Sequence, residues 1–132
     1  MFLKNVKIMS TLVGGALFLS NQLVAQETAK ELYDENCGTC HQADGGGVPF
    51  QQPELIDSIK VLGDKKELIK FVMEGTVNSP NMDSEWGNVM PAFDYLDSVE
   101  MSKILTYIRT SFGNNASPIT EQDVEDVLKE QS

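Results

Sequence analysis

Cys37-Gly38-Thr39-Cys40-His41 is the stretch on which the reading of this chain turns. Two cysteines two residues apart, with a histidine directly after them, form the attachment signature of a c-type haem. The chemistry accounts for the spacing. Each thiol adds across one vinyl group of the porphyrin, and a short turn holds the sulfurs at the separation of those vinyls. The neighbouring imidazole is then forced under the iron as proximal ligand. These are the only two cysteines and the only histidine in 132 residues. The expected cofactor is one haem c, bound covalently through Cys37 and Cys40, with His41 on the iron.

Other uses of such a pair fit less well. A dithiol redox motif belongs in a βαβ pattern, and none is visible. Structural zinc usually takes four Cys or His ligands, and only three exist here. A disulfide is the remaining use in a secreted domain, but closing a ring across two residues staples almost nothing.

Upstream of the motif, Met1 to Ala25 reads as a secretory signal peptide. Lys4 and Lys7 make a basic start, Ile8 to Ser20 is apolar, and Leu23-Val24-Ala25 ends on a small residue suited to cleavage. The competing reading is a retained anchor. The apolar run is short for a membrane span and polar Asn21 and Gln22 close it, so cleavage is expected, with no stable span afterwards. Residues 26–132 then form one domain of about 107 residues. A domain of that size buries a thin core, to which a covalently held haem adds a large apolar centre.

Charge narrows the partners. The full chain carries 10 basic and 20 acidic residues. Losing Lys4 and Lys7 with the leader leaves a formal charge of about −12. Such acidity argues against nucleic acid and anionic membrane surfaces, and towards a basic docking partner. A merely solvated acidic surface is the bland alternative.

Helical periodicity dominates the rest. Glu27 to Asn36 reads as a helix running into the motif, capped by Thr28, with Ala29, Leu32 and Tyr33 on one face. Asp44-Gly45-Gly46-Gly47-Val48-Pro49 follows as a loop whose glycines let the backbone turn closely past a bulky flat group. Asp64 with Glu67 signals a capping box for a second helix, with Leu68, Ile69, Phe71 and Val72 on its apolar side and Gly75 at its end. Thr76 to Tyr95 is irregular. Asp97-Ser98-Val99-Glu100 opens the strongest helix, with Met101, Ile104, Leu105, Ile108 and Phe112 at spacings of three and four and Gly113 as its stop. Thr120 caps a last acidic helix to about Lys129, with Val124, Val127 and Leu128 facing inward. No strand alternation appears, and the fold class expected is all-α.

A sixth iron ligand from this chain has to be a methionine, because no second histidine exists. Met73 and Met101 lie on helices, where methionine usually fills core. Met82 and Met90 lie in the irregular stretch. Met90 is the better candidate because Pro91 stiffens the backbone beside it, and Met82 is the runner-up.

The chain from residue 26 onward resembles the bacterial class I c-type cytochromes along nearly its whole length. The resemblance rests on Cys-Gly-Thr-Cys-His, Asp-Gly-Gly-Gly-Val-Pro, Pro53-Glu54-Leu55, Val-Met-Pro-Ala-Phe and the helix Ile-Leu-Thr-Tyr-Ile-Arg-Thr-Ser-Phe-Gly-Asn. It implies a bundle of about four or five short helices wrapped around one haem. It also implies that the Pro53 carbonyl accepts the N–H of the proximal imidazole and so orients the ring. Trp86 falls where such domains often carry an aromatic near the haem edge, either bonding a propionate or simply packing. Asn88 either bonds near the Met90 sulfur or serves the turn.

The function expected is that of a periplasmic carrier of single electrons with His41 and Met90 on the iron, passing them between redox proteins and doing no chemistry on a substrate. A haem subunit of a larger periplasmic oxidoreductase shares that chemistry and differs only in partner. A peroxidase-like enzyme needs an open iron and a distal acid–base group, and a gas sensor needs Met90 to be displaceable.

Overall fold

The computed structural model describes residues 27–76 and 89–132. Residues 1–25, expected to be a leader, and Met82, Asp83, Glu85, Trp86 and Asn88 lie outside the described residues. Six helices occur among the described residues: α1 (Ala29–Asn36), α2 (Gly38–His41), α3 (Ile59–Leu62), α4 (Lys65–Glu74), α5 (Ser98–Thr110) and α6 (Glu121–Gln131). The described residues contain no strand, only an isolated bridge between Val48 and Gln52. The all-α expectation holds, and the helix count exceeds four or five because α2 and α3 are single turns. Four residues are too few to display a 3.6-residue period.

The four longer helices begin where local chemistry tells them to. Thr28, Asp97 and Thr120 each accept from the backbone N–H three residues on, while the acid at that third position reaches back to the cap. These reciprocal bonds satisfy donors that a helix start leaves orphaned. Asp64 differs: its carboxylate takes the Glu67 N–H, and no return bond from Glu67 is formed. Helix α5 stops at Thr110, before the Gly113 expected to end it.

Packing follows the apolar faces. Helix α1 lies against α5, α5 against α6, and α6 against α4. Leu32 and Tyr33 of α1, Leu68, Ile69, Val72 and Met73 of α4, and Met101, Ile104, Leu105 and Ile108 of α5 share one buried cluster with Ile119, Val124 and Val127. Leu128, expected inward, is 38% exposed; it lies a hundred degrees past Val127 and clears the seam. Tyr33, Tyr107 and Phe112 form an aromatic triangle where α1 meets α5, with ring centroids 5.3 to 5.6 Å apart. Such contacts add to plain burial. Among the described residues no helix is long and apolar enough to cross a membrane.

Candidate haem-attachment site

The motif is wound into a single turn at the end of α1. Cys37 caps α1 by donating its N–H to the Tyr33 carbonyl at 2.8 Å, and its own carbonyl accepts from the N–H groups of Cys40 and His41 at 3.1 and 2.9 Å. Cys37 is thereby drawn into the core at 8% exposure, while Cys40 stays exposed. Both thiols are free. Burial pushes the Cys37 thiol up to about 12, with the neighbouring Cys40 adding to the rise. That is opposite to the depressed thiol on which dithiol exchange depends. Gln42, at φ +64°, turns the chain out of α2, and the Tyr33 hydroxyl fastens this exit by donating to the Gln42 carbonyl at 2.6 Å.

His41 is oriented through its ring nitrogen. Its Nδ1 lies 2.9 Å from the Pro53 carbonyl oxygen. A carbonyl only accepts, so Nδ1 carries the proton and the Nε2 lone pair is left for a metal. Burial lowers the imidazole's proton affinity below its ordinary value, and the Pro53 bond acts in the other direction. The partner implied by the family resemblance is therefore in place.

The glycine-rich loop explains how Pro53 arrives there. Gly47, at φ +63°, donates to the His41 carbonyl, and a Cβ on it would stand 2.5 Å from the Gln52 oxygen and 2.6 Å from the Pro53 oxygen. Only glycine admits so close an approach. At Gly45 the Phe112 ring comes close, and its Cδ2 would lie 2.6 Å from an added Cβ. Asn114 completes the support. Its amide donates to the carbonyls of Leu55 and Ile108, and its oxygen accepts from the Asp57 N–H at 2.9 Å. Sequence reasoning missed Asn114, whose partners stand up to 59 residues away.

Met90 is partly buried and packs against the core cluster. Its N–H donates to the Thr76 hydroxyl at 2.8 Å, and its carbonyl accepts from the Thr76 N–H at 2.9 Å. Trp86 and Met82 lie outside the described residues.

The donor set fits a covalently held haem: two free thiols on one helical turn beside an imidazole with a fixed, available Nε2. It does not fit a bare metal ion, because no group of three Cys, His, Asp or Glu side chains among the described residues is placed to hold one.

Known proteins agree with this chemistry. The sequence model of the family described as cytochrome c matches residues 26–112. The cytochrome c subunit of the quinone alcohol dehydrogenase of Gluconacetobacter polyoxogenes is 30% identical over 112 residues, covering 80% of this chain and 24% of that subunit. The gluconate 2-dehydrogenase cytochrome c subunit of Pantoea cypripedii is 26% identical, covering 80% and 25%. Cytochrome c-552 of Thermus thermophilus is 26% identical over 120 residues, covering 82% of this chain and 79% of that protein. The chain thus spans about a quarter of the dehydrogenase subunits it matches. With its helical fold, its attachment turn and the family match over residues 26–112, this chain belongs to the cytochrome c family and carries haem c through Cys37 and Cys40.

Proposed function

We propose that the protein carries single electrons on the outer side of the cytoplasmic membrane, with the iron held between His41 Nε2 and the Met90 sulfur. The observation that supports this best is the Nδ1–H bond from His41 to Pro53, which leaves Nε2 as the one nitrogen able to ligate. When bound, the haem supplies a one-electron couple between ferric and ferrous iron. The chain's part is to keep that couple in place. Cys37 and Cys40 would tether it, Pro53 holds the imidazole in one tautomer, and Met90 would supply the second ligand from the protein.

Replacing Met90 with Ala tests the ligand. The potential is expected to fall on the order of 0.1 V, within the roughly 0.8 V range that axial ligands command. The reduced protein should then bind carbon monoxide readily. If Met82→Ala produced these changes and Met90→Ala did not, the assignment would be wrong. His41→Ala should be the worst of the three, since no imidazole remains to substitute.

Export is part of the same reading. Removal of residues 1–25 predicts an exported protein whose first residue is Gln26, which N-terminal sequencing checks. The charge of about −12 left on that chain supports a basic electron-transfer partner steered over a distance of about 8 Å at physiological ionic strength. Transfer rates with such a partner should fall roughly tenfold or more from low to high salt. If docking uses an exposed haem edge beside the 76–93 stretch, neutralising Asp83 and Glu85 there should flatten that slope more than neutralising Glu125 and Asp126 on the C-terminal helix. A rate indifferent to salt would make the acidity plain surface solvation.

A second reading is favoured by the names of the dehydrogenase subunits that this chain resembles. In it the protein is the haem-bearing part of a larger oxidoreductase. Co-elution with a dehydrogenase in native extracts would support it, and elution as a single small protein, below the 14.6 kDa of the full chain, would support the free carrier.

A further inference from the structure

The C-terminus of α4 and the segment after the long connection meet closely. Gly75 leaves α4 at φ +64°, with its N–H still donating to the Phe71 carbonyl at 2.9 Å. A Cβ at Gly75 would stand 2.6 Å from the Met90 oxygen, 2.6 Å from the Pro91 carbonyl carbon and 2.7 Å from the Ala92 nitrogen. The Met90–Ala92 backbone therefore lies directly on the bare Cα of Gly75.

One residue on, Thr76 takes up both backbone groups of Met90. Its hydroxyl accepts the Met90 N–H at 2.8 Å, and its own N–H donates to the Met90 carbonyl at 2.9 Å. Beyond Pro91, which has no N–H to satisfy, Phe93 donates to the Val72 carbonyl at 3.1 Å. The segment is thus fastened to α4 at both ends, with glycine between. Position 90 follows α4 and is held independently of the path the chain takes between residues 76 and 89.

We infer that Gly75 and Thr76 form a seat that positions Met90 for the iron, with Thr76 the specific positioning residue. This rests on Met90 being the sixth ligand, as proposed above. Thr76 does not touch the sulfur. It fixes the Cα from which the side chain projects, so a ligand that would otherwise depart and return is kept within reach. Thermodynamically the seat replaces part of the Fe–S bond's ordering cost, since the backbone of residue 90 is already immobile.

Three variants of the haem-loaded protein test the inference. Thr76→Val keeps the branched shape and the backbone N–H but removes the acceptor for the Met90 N–H. Thr76→Ser keeps that acceptor. Gly75→Ala pushes the Met90–Ala92 backbone away without removing any donor. Thr76→Val and Gly75→Ala are expected to weaken the long-wavelength sulfur-to-iron charge-transfer band of the oxidised protein, lower the potential and speed carbon monoxide binding to the reduced protein by roughly tenfold. That factor corresponds to about 1.4 kcal/mol, the scale of one lost hydrogen bond to a buried group. Thr76→Ser should stay near wild type in all three readouts.

Met90→Ala serves as the reference. If it left the band and carbon monoxide reactivity unchanged, the ligand assignment itself would fail, and the seat with it. If Met90→Ala opened the iron while Thr76→Val and Gly75→Ala kept the wild-type band, potential and binding rate, the seat alone would be refuted. Lower melting temperatures without movement of those three readouts would likewise reduce Thr76 to a structural residue. Should Thr76→Val fail to fold, Gly75→Ala alone decides between these outcomes.

Discussion

Serine at both Cys37 and Cys40 is expected to give a chain that retains no haem after acid–acetone extraction and lacks a cooperative fold. The first half follows from chemistry, because a hydroxyl does not form the thioether. The second half follows from the core. Cys37 is itself a core member at 8% exposure, so serine there sets a hydroxyl among apolar side chains, at a cost of about 1–3 kcal/mol if unpaired. Loss of the tether removes more. Anything that binds only the folded state stabilises it by mass action, and a covalent link makes that binding effectively intramolecular. A domain of about 107 residues with a margin of roughly 5–15 kcal/mol has little to spare. Cys40→Ser alone should be milder, since Cys40 is exposed and one thioether survives. The check is a proton NMR spectrum of the double variant. Well-dispersed amide signals from haem-free protein would show that the helices hold without the group.

The second large effect is expected at Arg109. This side chain is only 3% exposed, and its hydrogen-bond partners among the described residues are all uncharged oxygens. Its charge is met by oxygens: Nε donates to the Ser117 carbonyl at 2.7 Å, and Nη1 to the carbonyls of Val61 at 2.6 Å and Gly63 at 3.0 Å. Those last two are the trailing carbonyls of α3, which a cation suits. One guanidinium therefore ties α5 to α3 and to the connection that leads into α6. Arg109→Met keeps the apolar stem and strands three acceptors, which should cost about 3 kcal/mol. For a domain of this size that corresponds to a fall in melting temperature of roughly 10–20 °C. Arg109→Lys should recover only part, because an ammonium lacks the planar fork that reaches separate carbonyls. A shift of under about 3 °C for Arg109→Met would mean that water replaces the guanidinium at no cost.

What could be read from the chain beforehand divides along the distance over which the physics acts. Capping is local: Thr28, Asp97 and Thr120 form the boxes their neighbours predict, and Asp64 caps its helix without the return bond expected from Glu67. The core face of α5 was equally legible, because Met101, Ile104, Leu105 and Ile108 repeat at helical spacing. The motif announced its own chemistry. Pro53 was reached only through family resemblance, since nothing near it states that its carbonyl meets an imidazole twelve residues earlier. Thr76 reads from the sequence only as the start of an irregular stretch. Its partner is fourteen residues away, and no pattern records a pairing between two irregular segments. Arg109 looks like a solvent-facing residue by type, although its place one turn after Leu105 put it at the edge of the buried stripe.

The pairing of α1 with α5 also sets a timetable. About sixty residues separate the end of α1 from the start of α5, so during synthesis the attachment turn exists well before the helix that closes over its neighbours. Loop closure over such a span is slow compared with local helix formation. Through that interval both thiols stand open to a haem-delivering machine. In the folded chain Cys37 lies in the interior and only Cys40 is within reach. Attachment thus belongs to the unfolded chain, before the two helices close on a common core.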